Sequence, residues 1–294
     1  MKAAKELPQL DETPEKSLSY LERKLAQQMG KTIVERRLIE PGDRVMVAIS
    51  GGKDSYTLLH LLKRFQRAAP IELELLAVHL DQRQPGFAGD QVRRYLDQSG
   101  VPYEIVSRDT YSVVIEKTRP GQATCFMCSR LRRGILYTEA KRLGCTKIAL
   151  GHHRDDAIET LLLNLMFSGQ LKSMPAKLVA DDGVNQVIRP LIEIPEERIA
   201  RFAARMEWPI APCVVCDSQK DLRRRDVKGL LTQLEQRIPG VRGSIFAAMA
   251  NLKPAFLFDE RFADTPGTSG ERPDVAAACG ANQRSGDWLD EGHE

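Results

Sequence analysis

Residues 44–62 read RVMVAISGGKDSYTLLHLL, and this stretch decides how the fold is built. The apolar, β-branched run Arg44–Ile49 predicts a buried strand. After it, apolar side chains recur at the spacing of a helix, at Tyr56, Leu58, Leu59, Leu62 and Phe65. The residues between these two elements, Ser50–Ser55, therefore form a turn from a strand into a helix.

Two glycines and a lysine give this turn the chemistry of an anion site. Glycine lets the backbone turn sharply and expose its N–H groups, and a helix N-terminus adds unpaired donors and partial positive charge. Lys53 contributes a full charge, so we expect a phosphate here. A Walker A loop is excluded because Val47 and Asp54 stand where it needs Gly and Ser or Thr. The dinucleotide fingerprint is excluded because Gly51 and Gly52 are adjacent.

The run SGGKDS resembles the PP-loop of ATP pyrophosphatases. Enzymes of that group use ATP to adenylate a carbonyl oxygen and release pyrophosphate. The resemblance implies that the phosphates of ATP bind along this loop, at Ser50, Gly51, Gly52, Lys53, Asp54 and Ser55.

Strand and helix patterns alternate along the chain from Arg44 onward. Such alternation predicts an α/β fold with a doubly wound parallel sheet, whose ligands bind at the carboxyl ends of the strands. The predicted strands are 44–49, 73–80, 103–107, 147–151 and 187–191. The predicted helices of this region are 55–68, 89–99, 130–143, 154–167 and 195–206.

Five segments are predicted from the composition, the periodicity and the motifs of the chain. They are a loose N-terminus at 1–16, an amphipathic helix at 17–40, an ATP-binding domain at 41–220, a helical segment at 221–258 and a disordered tail at 259–294. The 294 residues carry a net charge of +3, which neither demands nor excludes a nucleic acid. No apolar run approaches the length of a membrane span, and the N-terminus lacks the apolar core of a secretory signal. We therefore expect a cytoplasmic protein whose six cysteines are reduced.

A second informative stretch, ALGHHRDDAIETLLLN, covers residues 149–164. It places His152, His153, Asp155, Asp156 and Glu159 at the point where a predicted strand gives way to a helix. Such a cluster suits Mg²⁺ held beside ATP phosphates. Capping of the helix start by acidic residues is the alternative. The order of residues resembles the second motif of PP-loop enzymes that modify RNA.

Two Cys-x-x-Cys pairs, Cys125/Cys128 and Cys213/Cys216, have the spacing of metal ligands. Because more than eighty residues separate the pairs, the fold must bring them together or they act separately. A closed zinc site, an iron–sulfur cluster and a redox or sulfur-carrying dithiol all remain open from the spacing.

Basic residues accompany each cysteine pair. Such clusters favour a polyanion such as RNA, since contacts of Lys and Arg with phosphates supply most of the affinity for nucleic acids. Solvated helix faces are the alternative. The candidate RNA-binding residues are Arg130, Arg132 and Arg133, and Arg223, Arg224 and Arg225.

Four motifs, SGGKDS, CFMCSRLRRGILY, LGHHRDD and PCVVCDSQ, together resemble the TtcA family of tRNA 2-thiocytidine synthetases over residues 17–258. The resemblance implies an enzyme that adenylates the C2 oxygen of a cytidine in the tRNA anticodon loop. It then transfers sulfur from a [4Fe–4S] cluster, whose ligands match Cys125, Cys128 and Cys216. Asp217 stands where the family has Gly, and the role of Cys213 stays open.

The resemblance further implies a site with ATP and Mg²⁺, in which Asp155 or Asp156 positions the metal or the adenylate. It implies a cysteine desulfurase as the sulfur source and a homodimer as the assembly. Two alternatives are a PP-loop enzyme of different chemistry, such as a tRNA-lysidine synthetase, and a non-catalytic zinc protein that binds RNA. The former does not require the cysteine pairs, and the latter does not turn over ATP.

Overall fold

The computed structural model describes residues 17–86, 89–117, 125–180, 182–210 and 222–257. The chain divides into two compact units, residues 1–225 and 226–294. The strands of the first unit are β1 (Asp43–Ile49), β2 (Leu73–Asp81), β3 (Tyr103–Ser107), β4 (Lys147–Ala149), β5 (Lys177–Val179) and β6 (Gln186–Ile188). Its helices are α1 (Leu18–Glu35), α2 (Lys53–Ala68), α3 (Gly89–Ser99), α4 (Thr110–Lys117), α5 (Cys125–Arg142), α6 (Arg154–Ser168) and α7 (Glu196–Met206).

The strands form one sheet in the order β3-β2-β1-β4-β6-β5. All neighbours are parallel except the edge strand β5, which is antiparallel to β6. The predicted doubly wound parallel sheet is thereby confirmed. Within the described ranges, none of the helices combines the length and the apolar character that crossing a bilayer requires.

Alternate residues of the central strands bury themselves in two separate cores. On one face, Val45, Val47 and Ile49 of β1 pack with residues of α1, α2, α3 and α7. On the other face, Met46 packs with Leu136 and Ala140 of α5. Because side chains alternate between the faces of a strand, a strand with two apolar faces requires helices on both sides of the sheet.

Several boundaries differ from those that the sequence predicts. Helix α1 ends at Glu35 rather than at Glu40, because Arg37 adopts a left-handed backbone (φ 48°) that closes the helix. Helix α5 begins at Cys125, so the first cysteine pair belongs to the helix instead of preceding it. The short elements α4 and β5 have no counterpart in the sequence prediction.

The second unit begins within α8 (Leu222–Arg237) and continues through α9 (Val241–Ala250) to a 3₁₀ turn at Pro254–Phe256. The Glu235 carboxylate joins its two helices by accepting hydrogen bonds from the backbone N–H groups of Gly240, at 2.7 Å, and Arg242, at 3.0 Å. The predicted segment boundaries at 220 and 258 stay predictions, and the predicted tail lies outside the described residues.

Lys147 anchors the end of the sheet at which the central parallel strands begin. Its side chain is 2% exposed, and its ammonium group lies 2.8 Å from Glu40 and 3.3 Å from Asp43. Asp43 Oδ1 also accepts a hydrogen bond from the Thr146 hydroxyl at 2.7 Å. This buried charge is thus matched by two carboxylates, one of which begins β1.

Replacing Lys147 by Met should destabilise the protein by about 3 kcal/mol, the low end of the cost of breaking a buried ion pair, because Glu40 can turn to water. Chemical denaturation would measure the change. Lys31→Met is the matched control: Lys31 forms an exposed pair with Glu35 on α1, so its loss should shift stability by less than about 0.5 kcal/mol. Equal stability of the two variants would contradict this role of Lys147.

Candidate functional site

The loop Ser50–Ser55 is closed by hydrogen bonds around the Ser55 hydroxyl. Ser55 Oγ accepts from the backbone N–H of Ser50 at 3.2 Å and donates to the carbonyl of Gly52 at 2.9 Å. Gly51 has φ 84°, a left-handed conformation that favours glycine. Gly52 caps α2 without a side chain, so the first N–H groups of the helix face outward as an anion site.

Gly151 lets the end of β4 approach this loop closely. A Cβ atom at Gly151 would lie 3.0 Å from the carbonyl carbon of Asp54 and 3.1 Å from the nitrogen of Ser55. The absence of a side chain therefore allows the GHHRDD motif to meet the SGGKDS motif. The structure brings together two motifs that lie about one hundred residues apart in the sequence.

Lys53 lies between two carboxylates. Its ammonium group is 3.1 Å from Asp54 Oδ2 and 3.1 Å from Glu196 Oε1. Burial by itself lowers the pKa of Lys53, but the charges of Asp54 and Glu196 outweigh burial and raise it. The lysine therefore stays charged, and it is held at the start of α2 where a phosphate would bind.

Asp155 links α6 to α7. It is buried, and its Oδ2 atom accepts a hydrogen bond from the backbone N–H of Glu196 at 2.8 Å. Pro195, the residue that caps α7, offers no side-chain hydrogen bond, so the Asp155 carboxylate serves as the cap. The same contact fixes the backbone of Glu196, which in turn holds Lys53.

His153 and Asp156 cap the start of α6 reciprocally. His153 Nδ1 accepts from the backbone N–H of Asp156 at 3.4 Å, while Asp156 Oδ2 accepts from the backbone N–H of His153 at 3.0 Å. The capping alternative that the sequence left open thus holds for this pair. It does not involve His152, which lies outside the capping box.

His152 is held by an arginine that the sequence analysis missed. Arg189, buried at the carboxyl end of β6, donates from Nε to His152 Nδ1 at 3.3 Å and from Nη1 to the carbonyl of Pro175 at 2.7 Å. Burial lowers the pKa of His152 to about 4; the charge of Asp156 opposes this shift, and Arg189 adds to it. The ring is therefore neutral, with its proton on Nε2 as a hydrogen-bond donor.

Arginines from three elements converge on this histidine. Arg132 of α5 and Arg224 of α8 lie close enough to lower the pKa of His152 further, after burial and Arg189. Arg224 also pairs with the buried Glu159 at 3.8 Å. Arg130, Arg133, Arg223 and Arg225 are exposed. Positive charge is therefore concentrated on the part of the carboxyl edge that surrounds His152.

Cys128 lies at the same edge of the sheet. Its half-buried thiol donates to Gln82 Oε1 at 3.2 Å, and Gln82 follows directly after β2. Cys125 is the first residue of α5, one turn before Cys128. Cys213, Cys216 and Asp217 lie outside the described residues, as does the side chain of Cys125.

Three residues that contact the site, Gln82, Arg189 and Glu196, were not singled out from the sequence. Gln82 and Arg189 follow strands that run in the same direction as β1, and Glu196 begins α7. The sequence offered a signal only for Gln82, which lies just beyond the predicted strand 73–80, since the carboxyl ends of parallel strands gather ligands. Arg189 falls inside the predicted strand 187–191, and Glu196 falls inside the predicted helix 195–206. Their polar character alone carried no such information.

A protein-family model described as a PP-loop domain matches residues 19–211 of the chain. That range contains the parallel sheet and the loop that faces the N-terminus of α2. The fold and the site therefore define a PP-loop protein.

Curated relatives narrow this class. A tRNA-cytidine(32) 2-sulfurtransferase of Dechloromonas aromatica (strain RCB) is 49% identical over 261 residues, which are 89% of this chain and 91% of that protein. The protein of the same name in Anaeromyxobacter sp. (strain K) is 54% identical over 239 residues, 81% of this chain and 82% of the relative. The chain belongs to the family of tRNA-cytidine(32) 2-sulfurtransferases, and it is accordingly a transferase.

A solved structure supports the fold independently. The U34-tRNA thiolase NcsA from Methanococcus maripaludis, determined with its [4Fe–4S] cluster, matches with a TM-score of 0.64 and 23% identity over 80% of this chain and 79% of that one. At 23% identity, this similarity supports the fold alone.

Replacing Gly151 by Ala should destabilise the protein by about 1–3 kcal/mol, since the new methyl group would lie 3.0–3.1 Å from the backbone of Asp54 and Ser55, which must shift to admit it. Thermal unfolding would measure it. Gly30→Ala in α1 is the control: nothing lies within 4 Å of its Cβ position, so it should be neutral or gain up to about 1 kcal/mol. An unaffected Gly151→Ala protein would show that the close approach does not matter.

Proposed function

We propose that this protein thiolates C2 of the cytidine at position 32 of tRNA, the activity that the name of its relatives states. The observation that carries the proposal is the meeting of three features at one edge of the sheet. These are the phosphate loop with Lys53, the thiol of Cys128 and the arginines around His152. Such an edge suits ATP, a sulfur-bearing group and RNA together.

ATP binds with its phosphates on the N–H groups of Ser50–Ser55 and on Lys53. The C2 oxygen of the cytidine attacks the α-phosphate, and pyrophosphate leaves with its charge stabilised by these donors. Sulfur then replaces the adenylated oxygen at C2, and AMP carries that oxygen away. The target base is single-stranded in its loop, so turning it into the site costs little.

Asp54 and Asp156 would hold Mg²⁺ beside the phosphates. No group of three or more His, Cys, Asp or Glu side chains in the described ranges is arranged to hold a metal alone, but Mg²⁺ commonly takes one or two carboxylates plus substrate phosphates. Asp54 Oδ1 is buried and accepts no hydrogen bond from the described residues. Burial raises the pKa of Asp54, and the Asp156 charge contributes. A cation would relieve both effects, while Asp155 positions α7.

Cys125, Cys128 and Cys216 would hold the [4Fe–4S] cluster, which would supply the sulfur for the reaction. The fit rests on the chemistry of the donors: Cys128 is accessible at the carboxyl edge, one helical turn from Cys125. To ligate iron, the Cys128 thiol must lose its proton. The hydrogen bond that this thiol donates to Gln82 Oε1 is then lost. A cysteine desulfurase as sulfur source, a homodimer and a cytoplasmic location complete the proposal.

Lys53→Met should lower tRNA-dependent formation of AMP and pyrophosphate at least a hundredfold, because the variant loses the charge at the phosphate site. Radiolabelled ATP and purified tRNA would provide the assay. Lys31→Met, on the exposed face of α1, should match the wild type. Undiminished AMP formation in Lys53→Met would contradict the assigned role of the loop.

The decisive experiment is a mass-spectrometric census of tRNA nucleosides in a host that lacks this gene. The gene should restore 2-thiocytidine, Cys128→Ala should not, and Cys145→Ala, in a half-buried thiol packed beside α5, should restore it. Purified wild-type protein should contain iron and acid-labile sulfide, which Cys128→Ala loses. Zinc in place of iron, or thiolation by Cys128→Ala, would overturn the sulfur chemistry proposed here.

A further inference from the structure

Phe167 and Arg223 form an exposed stacked pair away from the phosphate loop. The guanidinium of Arg223 lies 4.7 Å from the centre of the Phe167 ring, which is 47% exposed on the last turn of α6. Leu165, Met166 and Leu171, which are close to Phe167 in the sequence, are each at least 45% exposed. One helix end thus presents an aromatic face and a planar cation to solvent.

The backbone around Phe167 is held by Asn164. Its carbonyl accepts hydrogen bonds from the N–H groups of Gly169 and, at 3.1 Å, of Gln170. Its side-chain amide donates to the carbonyl of Lys172 at 2.8 Å. These bonds tie the chain that leaves α6 back onto the helix, so the exposed ring needs little ordering before it binds a partner.

Charge around the pair favours a polyanion over another apolar surface. Residues 160–180 contain no Asp or Glu, while Lys172 and Arg223–Arg225 contribute positive charge. Aromatic rings and guanidinium planes are the groups on which proteins stack the bases of single-stranded RNA. Aromatic side chains and arginines also occur at interfaces between protein chains, and the absence of acidic residues over 160–180 is what favours the polyanion.

We propose that Phe167 and Arg223 form a stacking platform for an unpaired base of the tRNA substrate. The inference rests on the proposed function and specifies how the substrate is held. Phe167 lies thirteen residues after Arg154 along α6, about 20 Å from the start of that helix. The platform therefore binds a nucleotide other than the reacting cytidine, several positions away in the loop.

Binding of a fluorescent, unmodified tRNA anticodon stem-loop by the full-length protein tests the platform. Phe167→Leu, which keeps apolar bulk but removes the ring, should weaken binding roughly tenfold, the typical contribution of one stacked base. Phe167→Tyr should stay within about twofold of the wild type, because a ring is retained. Arg223→Lys keeps the positive charge but loses the planar guanidinium group, so it should weaken binding several-fold. Val34→Ala, on the exposed face of α1, is the control and should bind as the wild type does.

A series of stem-loops that each lack one loop base identifies the stacked nucleotide. For the wild type, one omission should weaken binding about tenfold. For Phe167→Leu, that same omission should weaken binding no further. Phe167→Leu binding like the wild type would overturn the platform. So would a shift of Phe167→Leu from dimer to monomer in sedimentation, which would make this face an interface between copies. The binding assay needs no thiolation, so failure of the platform is distinct from failure of the nucleoside census.

Discussion

The parallel pairing of β2, β1, β4 and β6 is the constraint on which the site depends. Strands that run in one direction end at one edge, so the residues that follow them become neighbours whatever their separation in the sequence. The phosphate loop after β1, Gln82 after β2, His152 after β4 and Arg189 after β6 meet in this way. Two apolar faces on β1 then oblige helices to cover the sheet on both sides, and α2 and α6 begin at the same edge.

Opposed charges are distributed unequally over this edge. Carboxylates surround Lys53 and cap α7 through Asp155, whereas arginines gather around His152. The acidic side therefore provides fixed geometry and candidate ligands for a cation. The basic side concentrates positive charge, and it adds to the effect of burial that keeps His152 neutral. The proposed adenylation of a base in RNA would use both properties within one site.

The sequence predicted the fold class and the two motifs that meet at Gly151, because strong periodicity and adjacent glycines have few structural solutions. It did not predict Arg189 or Glu196, since their roles depend on which strand lies beside β4 and on how α7 begins. The interpretation of His153 and Asp156 was ambiguous for a physical reason: the same residues suit a metal site and a helix cap, and only the hydrogen bonds decide. The roles of Cys213, Cys216 and Asp217 stay predictions, since these residues lie outside the described ranges.

The ion pair between Lys53 and Glu196 gives the phosphate loop a counter-ion that belongs to the protein itself. A phosphate that reaches Lys53 meets an ammonium group that Asp54 and Glu196 already share, so it competes with these carboxylates for the same positive charge. Such competition favours ligands with several negative charges over those with one. Glu196 begins α7, which packs against α1 and α2. A change in the contact between Lys53 and Glu196 therefore acts directly on the start of that helix. The loop thus selects its ligands by their negative charge as well as by their shape.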